Sequence, residues 1–323
     1  MVTPGYRRLA LSTLVATFLL VIVGGIVRVS DSGLGCGPAG SGLNGWPFCN
    51  GDVVPGVNLN SIIEYSHRAL AGAVGIMMIV LAVLAWRRYR SNTVLVRATI
   101  ASAVLVVAQG LLGAATVEKD LDEGLVAAHL GLAMALLALL LIVVRACRQS
   151  TVDSRQSTGL RPLALVTSFF VLCTVVAGGY MAGTQNYGRA DYQVGDGAHH
   201  ACGKEFPSCN GDFMPFGDAR LVDIHLTHRA FMYIATLLVI SLVVLSLRRG
   251  VATRFAWLAL GILGAQVLVG ALNVWLDEYE ALIVLHLGLG TLLWMSVFGL
   301  TLQLYPARSE ATERNTPPQA VPA

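Results

Sequence analysis

Seven histidines occur in the chain, and four of them recur at matching places in two copies of one pattern. His67 is followed by Arg68 and Ala69, as His228 is followed by Arg229 and Ala230. His129 opens a His-Leu-Gly-Leu run, and so does His286. All four fall toward the ends of long apolar stretches, where an ionisable side chain is costly and marks function. Imidazoles facing each other from two helices of a bundle can hold a metal in the bundle core. The pairs on offer are His67 with His129 and His228 with His286. One such histidine alone reads as a polar residue satisfied near the membrane interface. Four, paired and duplicated, point to ligation. Zinc wants four nitrogen, sulfur or oxygen ligands, and two isolated imidazoles are too few. Haem needs one or two axial ligands and a large apolar slot, which this pattern supplies.

Other residues gather around these four. Glu64 precedes His67 by three residues, so both face one side of a helix. The matching position in the second copy is His225. A partly buried carboxylate beside an axial histidine is a proton-transfer candidate. Its other reading is a first-turn acid stabilised by the helix dipole. The asymmetry suggests that one half does chemistry and the other handles electrons, with His225 supporting a ligand. His199 and His200 sit in a polar loop and read as solvated, with transient haem or metal contact as the alternative. Arg68 and Arg229 suit haem propionates, which a guanidinium binds bidentately; snorkelling to the interface is the plainer reading. Gly131 and Gly288 follow their histidines by two residues, and Gly72 and Gly75 lie a turn or two past His67. Small residues there either admit a flat macrocycle or only allow close helix contact.

The elements that must position these side chains are membrane spans. The chain is 55% hydrophobic and 13% charged, about half the charge of a soluble domain. Its mean hydropathy is +0.67. Apolar runs long enough to cross a bilayer fall near 9–29, 62–86, 93–117, 124–146, 162–183, 222–247, 252–275 and 281–304. The first run lacks an Ala-x-Ala cleavage site and reads as a retained span. Arginines including Arg7, Arg8, Arg87, Arg88, Arg145 and Arg248 share one side, while acidic runs at 118–123 and 277–280 lie on the other. Basic loops stay in the cytoplasm, so both termini are expected there. The net charge of +3 thus reflects topology and says nothing for nucleic-acid binding.

The halves align from end to end. Gly24-Gly25 matches Gly178-Gly179, the Cys49-Asn50-Gly51-Asp52 run matches Cys209-Asn210-Gly211-Asp212, and Gln109 and Gly113 match Gln266 and Gly270. Four spans per copy, an even number, orient both copies alike about an axis along the membrane normal. The expected fold is all-α and integral to the membrane, as two tandem four-helix bundles. The halves run over 1–147 and 162–305, joined by a cytoplasmic linker at 148–161 and followed by a disordered tail at 306–323. Two long outer loops, near 30–61 and 184–221, carry Cys36 with Cys49 and Cys202 with Cys209. That side is oxidising, so disulfides persist there. They either staple the loops or serve redox chemistry. Cys49 and Cys209 align, but their partners do not, with twelve and six residues between. Cys147 and Cys173 read as ordinary buried thiols.

Together, Glu-x-x-His-Arg at 64–68, His-Arg at 228–229, His-Leu-Gly at 129–131 and 286–288, and cysteine pairs in the first and third outer loops resemble the haem A synthase family of bacteria. The resemblance covers about 9–304. It implies oxidation of the C8 methyl of haem O to a formyl group, by two hydroxylations and loss of water. It implies a haem b held by His228 and His286, substrate haem O handled by His67 and His129, and catalysis by Glu64. Disulfides Cys36–Cys49 and Cys202–Cys209 follow the same pattern. Haem O synthase would supply the substrate, an unknown electron carrier would serve haem b, and the assembling terminal oxidase would take the product. The location would be the bacterial plasma membrane.

Three other readings compete. A bis-histidine cytochrome b taking electrons from quinol explains the histidines but not the contrast of Glu64 with His225. A membrane thiol–disulfide oxidoreductase leaves the four histidines idle. A transporter predicts broken helices at the midplane, whereas the polar residues here cluster at the outer ends.

Overall fold

The computed structural model describes residues 2–148, 158–184, 197–276 and 279–305. Eight long helices carry it: α1 Pro4–Val29, α2 Leu59–Arg88, α3 Thr93–Glu118, α4 Glu123–Ala146, α5 Arg161–Gly183, α6 Arg220–Arg248, α7 Thr253–Trp275 and α8 Glu280–Gln303. Each is long and apolar enough to cross a membrane. In lipid a segment must satisfy its own N–H and C=O groups, which a helix does along its length. The expected linker falls mostly on 149–157 and the expected tail on 306–323, both outside the described residues, as are Asp277 and Glu278.

Local sequence sets the helix starts. Asn92 accepts from the Leu95 amide at 3.1 Å. Asp122 accepts from Gly124 and Leu125 at 2.9 and 3.0 Å. These side chains satisfy amides that have no partner inside the helix. Thr3 caps α1 just before Pro4, whose missing N–H costs nothing at that position.

In the first half α1 packs on α2 and α4, and α3 packs on the same two. In the second half α5 and α7 pack likewise on α6 and α8. The halves meet where α4 lies against α5 and α8, and α1 against α8. Met134, Leu137, Leu140, Val297 and Leu300 are fully buried in this core. The Trp294 indole donates to the Met134 carbonyl at 3.0 Å, so α8 is keyed to α4 by a hydrogen bond as well as by packing. Helix α3 keeps Val104, Val107 and Leu111 more than half exposed, as a lipid-facing helix does.

Both long loops close in the same way. Cys36 is bonded to Cys49 and Cys202 to Cys209. Asn50 and Gly51 have positive φ, and so do Asn210 and Gly211. Only Gly and, less freely, Asn turn the chain there without strain. The Asn50 amide donates to the Gly35 carbonyl and the Asn210 amide to the Ala201 carbonyl. Gly35 and Ala201 each immediately precede a bonded cysteine. The partner cysteines are therefore equivalent in space although their spacing in the chain differs; the longer first loop fits an extra turn at Gly42–Asn44. Tying off such short loops stabilises by about 2–3 kcal/mol each through the unfolded state. Replacing Cys202 and Cys209 by serine is expected to lower the thermal midpoint by several degrees, which intrinsic fluorescence on heating would show.

Candidate functional site

His67 and His228 each lie eight residues past the first residue of their helix, and His129 and His286 six past theirs. At 1.5 Å per residue all four sit roughly 9–12 Å below the long-loop ends. His67 lies near His129, and His286 near His228.

Each imidazole lies against a glycine of the preceding helix. A Cβ added at Gly24, Gly113, Gly178 or Gly270 would meet Cε1 of His67, His129, His228 or His286 at 3.2, 3.2, 3.0 or 2.9 Å. The fourfold recurrence sets the depth of each ring by backbone contact. A side chain at any of these glycines would push its ring into the bundle. On the ligand sets that the sequence resemblance implies, Gly178→Val is expected to cut haem b content at least tenfold, and Gly24→Val to leave haem b intact while cutting haem A yield; pyridine haemochrome spectra and haem chromatography separate the two. Gly131 and Gly288 do something else. Their added Cβ atoms would meet Val176 and Ile22 of the other half, so they serve helix contact.

The ring nitrogens differ between halves. His228 Nδ1 is 3.0 Å from the Thr174 carbonyl, which makes it the donor and leaves Nε2 with its lone pair. Ligating histidines are commonly oriented this way. His286 Nε2 is 3.2 Å from the Gln266 amide nitrogen. Gln109 instead donates to the His129 backbone carbonyl at 2.8 Å. His67 Nδ1, His129 Nδ1, His286 Nδ1, Gln109 Oε1 and Gln266 Oε1 are buried without a partner. Unsatisfied buried polar atoms are few in proteins. Among the described residues half of the ten such atoms lie at the two histidine pairs, where a polar-centred ligand would belong. Among the described residues no three His, Cys, Asp or Glu side chains converge as a metal-ion cluster. Two imidazoles in an apolar bundle fit a haem, whose porphyrin supplies the other ligands.

Glu64 is 3% exposed. One carboxylate oxygen accepts from the Cys36 amide at 2.7 Å, and the other pairs with Arg68. Arg68 also donates to the Gly45 and Phe48 carbonyls. Arg229 donates to the Glu205, Pro207 and Ser208 carbonyls and stacks over Phe206. Sequence reasoning offered both arginines as possible propionate contacts; in the structure they also donate to the carbonyls of the loops, whose tight turns leave inward C=O groups that need donors. His225 takes Glu64's place with reversed polarity: its Nδ1 lies 2.7 Å from the Ala198 carbonyl, in donor range.

The COX15-CtaA profile, described as cytochrome oxidase assembly protein, matches residues 57–298. A heme A synthase of Alkalihalophilus pseudofirmus is 30% identical over 242 residues, spanning 73% of this chain and 75% of that one. The chain belongs to the haem A synthase family. A heme A synthase of Halalkalibacterium halodurans is 30% identical over 237 residues, 72% of each chain. One of Shouchella clausii is 27% identical over 256 residues, 77% of this chain and 79% of that one. The region that matches the family contains Glu64 and all four paired histidines, while Cys36 and Cys49 precede it. With its eight apolar helices, this member of the family is a multi-pass membrane protein.

In this family member His199 departs from the sequence expectation of a solvated side chain. It lies in a short turn at Ala198–Cys202, its Nδ1 buried without a partner. Burial, and then the nearby His225 and His228, hold its pKa well below the usual histidine range. Its place under the loop is fixed by the Cys202–Cys209 bond and by Ala198 bonding to Thr184 and His225, contacts that local sequence does not announce. The four glycines against the rings were also missed as contacts. Their signal was present, since Gly24 with Gly178 and Gly113 with Gly270 align between the halves.

Proposed function

We propose that this chain is a haem A synthase, oxidising the C8 methyl of haem O to a formyl group for terminal oxidase assembly. The observation that carries the reading is the pair of equivalent two-histidine sites, of which only one has a buried carboxylate, Glu64, beside it. Its relatives of that name support it. The contact pattern of α1–α4 and α5–α8 supports two tandem bundles about a pseudo-twofold axis, with residues 1–147 as the substrate half and 162–305 as the haem b half. The arginine asymmetry of the sequence supports cytoplasmic termini in a bacterial plasma membrane.

His228 and His286 would hold the resident haem b. Thr174 orients the first of these rings, and Gly178 and Gly270 seat both. When bound, the haem would supply one-electron redox chemistry at its iron. His67 and His129 would receive substrate haem O. Glu64 holds or moves a proton near the oxidised methyl, and its bond to the Cys36 amide fixes the first loop over this half. Arg68 compensates the carboxylate charge. Apolar helix faces exclude water from both slots. An electron carrier must dock at the haem b half, and haem O synthase and the terminal oxidase stand before and after the reaction.

Extraction of haem from the purified chain tests the arrangement. Haem b at about one per chain, accompanied by haem O or haem A, is expected. Haem b alone, in both halves, would make the chain an electron-transfer cytochrome.

A further inference from the structure

The two halves differ on one flank. Counted from the aligned His67 and His228, α2 carries Ala71, Gly72 and Gly75 where α6 carries Met232, Tyr233 and Thr236. Counted from Gln109 and Gln266, α3 carries Gly110 where α7 carries Val267. In the second half these four larger residues, with Phe206 and Leu237, line a small apolar cavity of about 280 Å³. In the first half nothing lies within 4 Å of where a Cβ on Gly72 or Gly110 would sit, and Gly75 has only Val106, at 4.0 Å. Gly72 and Gly110 are exposed. Ala71 and Gly75 lie four and eight residues past His67, on its side of α2. Behind them His67 and His129 present buried Nδ1 atoms without partners.

We infer that the α2–α3 flank is the lateral opening through which haem O enters from lipid and haem A leaves, and that the α6–α7 flank is the same opening filled in. The inference rests on the assignment of the first half to haem O. A tetrapyrrole with a prenyl tail resists transfer through water, because each exposed CH2 disfavours it. It must reach the histidines sideways, between helices. Removing side chains from one flank opens that route without unfolding a helix. On the other flank Met232, Tyr233, Thr236 and Val267 add side-chain bulk around the cavity they line, where a resident group would never need to leave. Of the four ring Nδ1 atoms only that of His228 is held, by Thr174; those of His67, His129 and His286 have no partner.

The test carries the residues of the closed flank to the open one. Gly72→Tyr with Gly110→Val, and Gly72→Tyr alone, both point into open space, so the fold should bear them. Purified chain in nanodiscs is mixed with vesicles carrying haem O, and binding is followed in the Soret band. The expected result is at least a tenfold slower association in the double variant, a smaller slowing in the single one, and unchanged haem b content. Association within twofold of the wild type in both would overturn the inference. His67→Ala is run beside them. If it binds haem O and makes haem A normally, the assignment of the first half fails; if it does not, the flank variants judge the opening itself. Should the double variant lose haem b, the single one decides.

Discussion

A Glu64→Gln chain is expected to keep haem b and to lose haem A formation by about a hundredfold or more, the scale of a positioned proton-transfer group. The amide keeps the volume of the side chain and can still accept from the Cys36 amide, which the carboxylate does at 2.7 Å. It cannot carry a charge or take a proton. Glu64→Ala is a harsher change. It would leave Arg68 without its buried partner, and breaking a buried pair from one side costs about 3–5 kcal/mol. The two variants therefore separate chemistry from loop anchoring. A carboxylate that only anchors the loop would be replaced well by glutamine and badly by alanine. A proton-transfer carboxylate fails in both. Haem b content, read by pyridine haemochrome, reports whether the fold survived.

His286→Ala and His228→Ala are expected to lose haem b, with at least tenfold less haem b per chain and little haem A made. Each removes one of two imidazoles seated on a glycine; beside His286 stands the Gln266 amide, while His225 and His199 lie near His228, which makes His286→Ala the cleaner of the two. His67→Ala and His129→Ala should instead retain haem b and stop product formation. The four substitutions split into two pairs only if the halves are specialised. Loss of haem b in all four would mean a shared structural role.

The eight spans were legible because lipid leaves little choice: an apolar run of about 20 residues must be a helix. The observed starts differ by a few residues, Leu59 rather than 62 and Arg220 rather than 222, because caps and polar first turns extend the helices past their apolar cores. The paired histidines were legible through duplication, which repeats a functional residue while its surroundings drift. Contacts between distant segments were not. That Gly24 bears on His67, or Gly270 on His286, depends on how helices pack. The equivalence of the two disulfides was hidden by a difference in loop length that the turn at Gly42–Asn44 absorbs. That Arg68 and Arg229 also donate to loop carbonyls was not legible, because such carbonyls carry no mark in the sequence. His199 looked solvated because its neighbours are polar or small; the turn that carries it places its Nδ1 inside.

The most direct measurement is reversed-phase separation of haems from membranes that co-express this chain with a haem O synthase, in a host lacking haem A. The account predicts a new haem A peak that disappears in Glu64→Gln while haem b persists. Haem b with haem O left unconverted, beside a competent control synthase, would contradict it and leave an electron-transfer cytochrome.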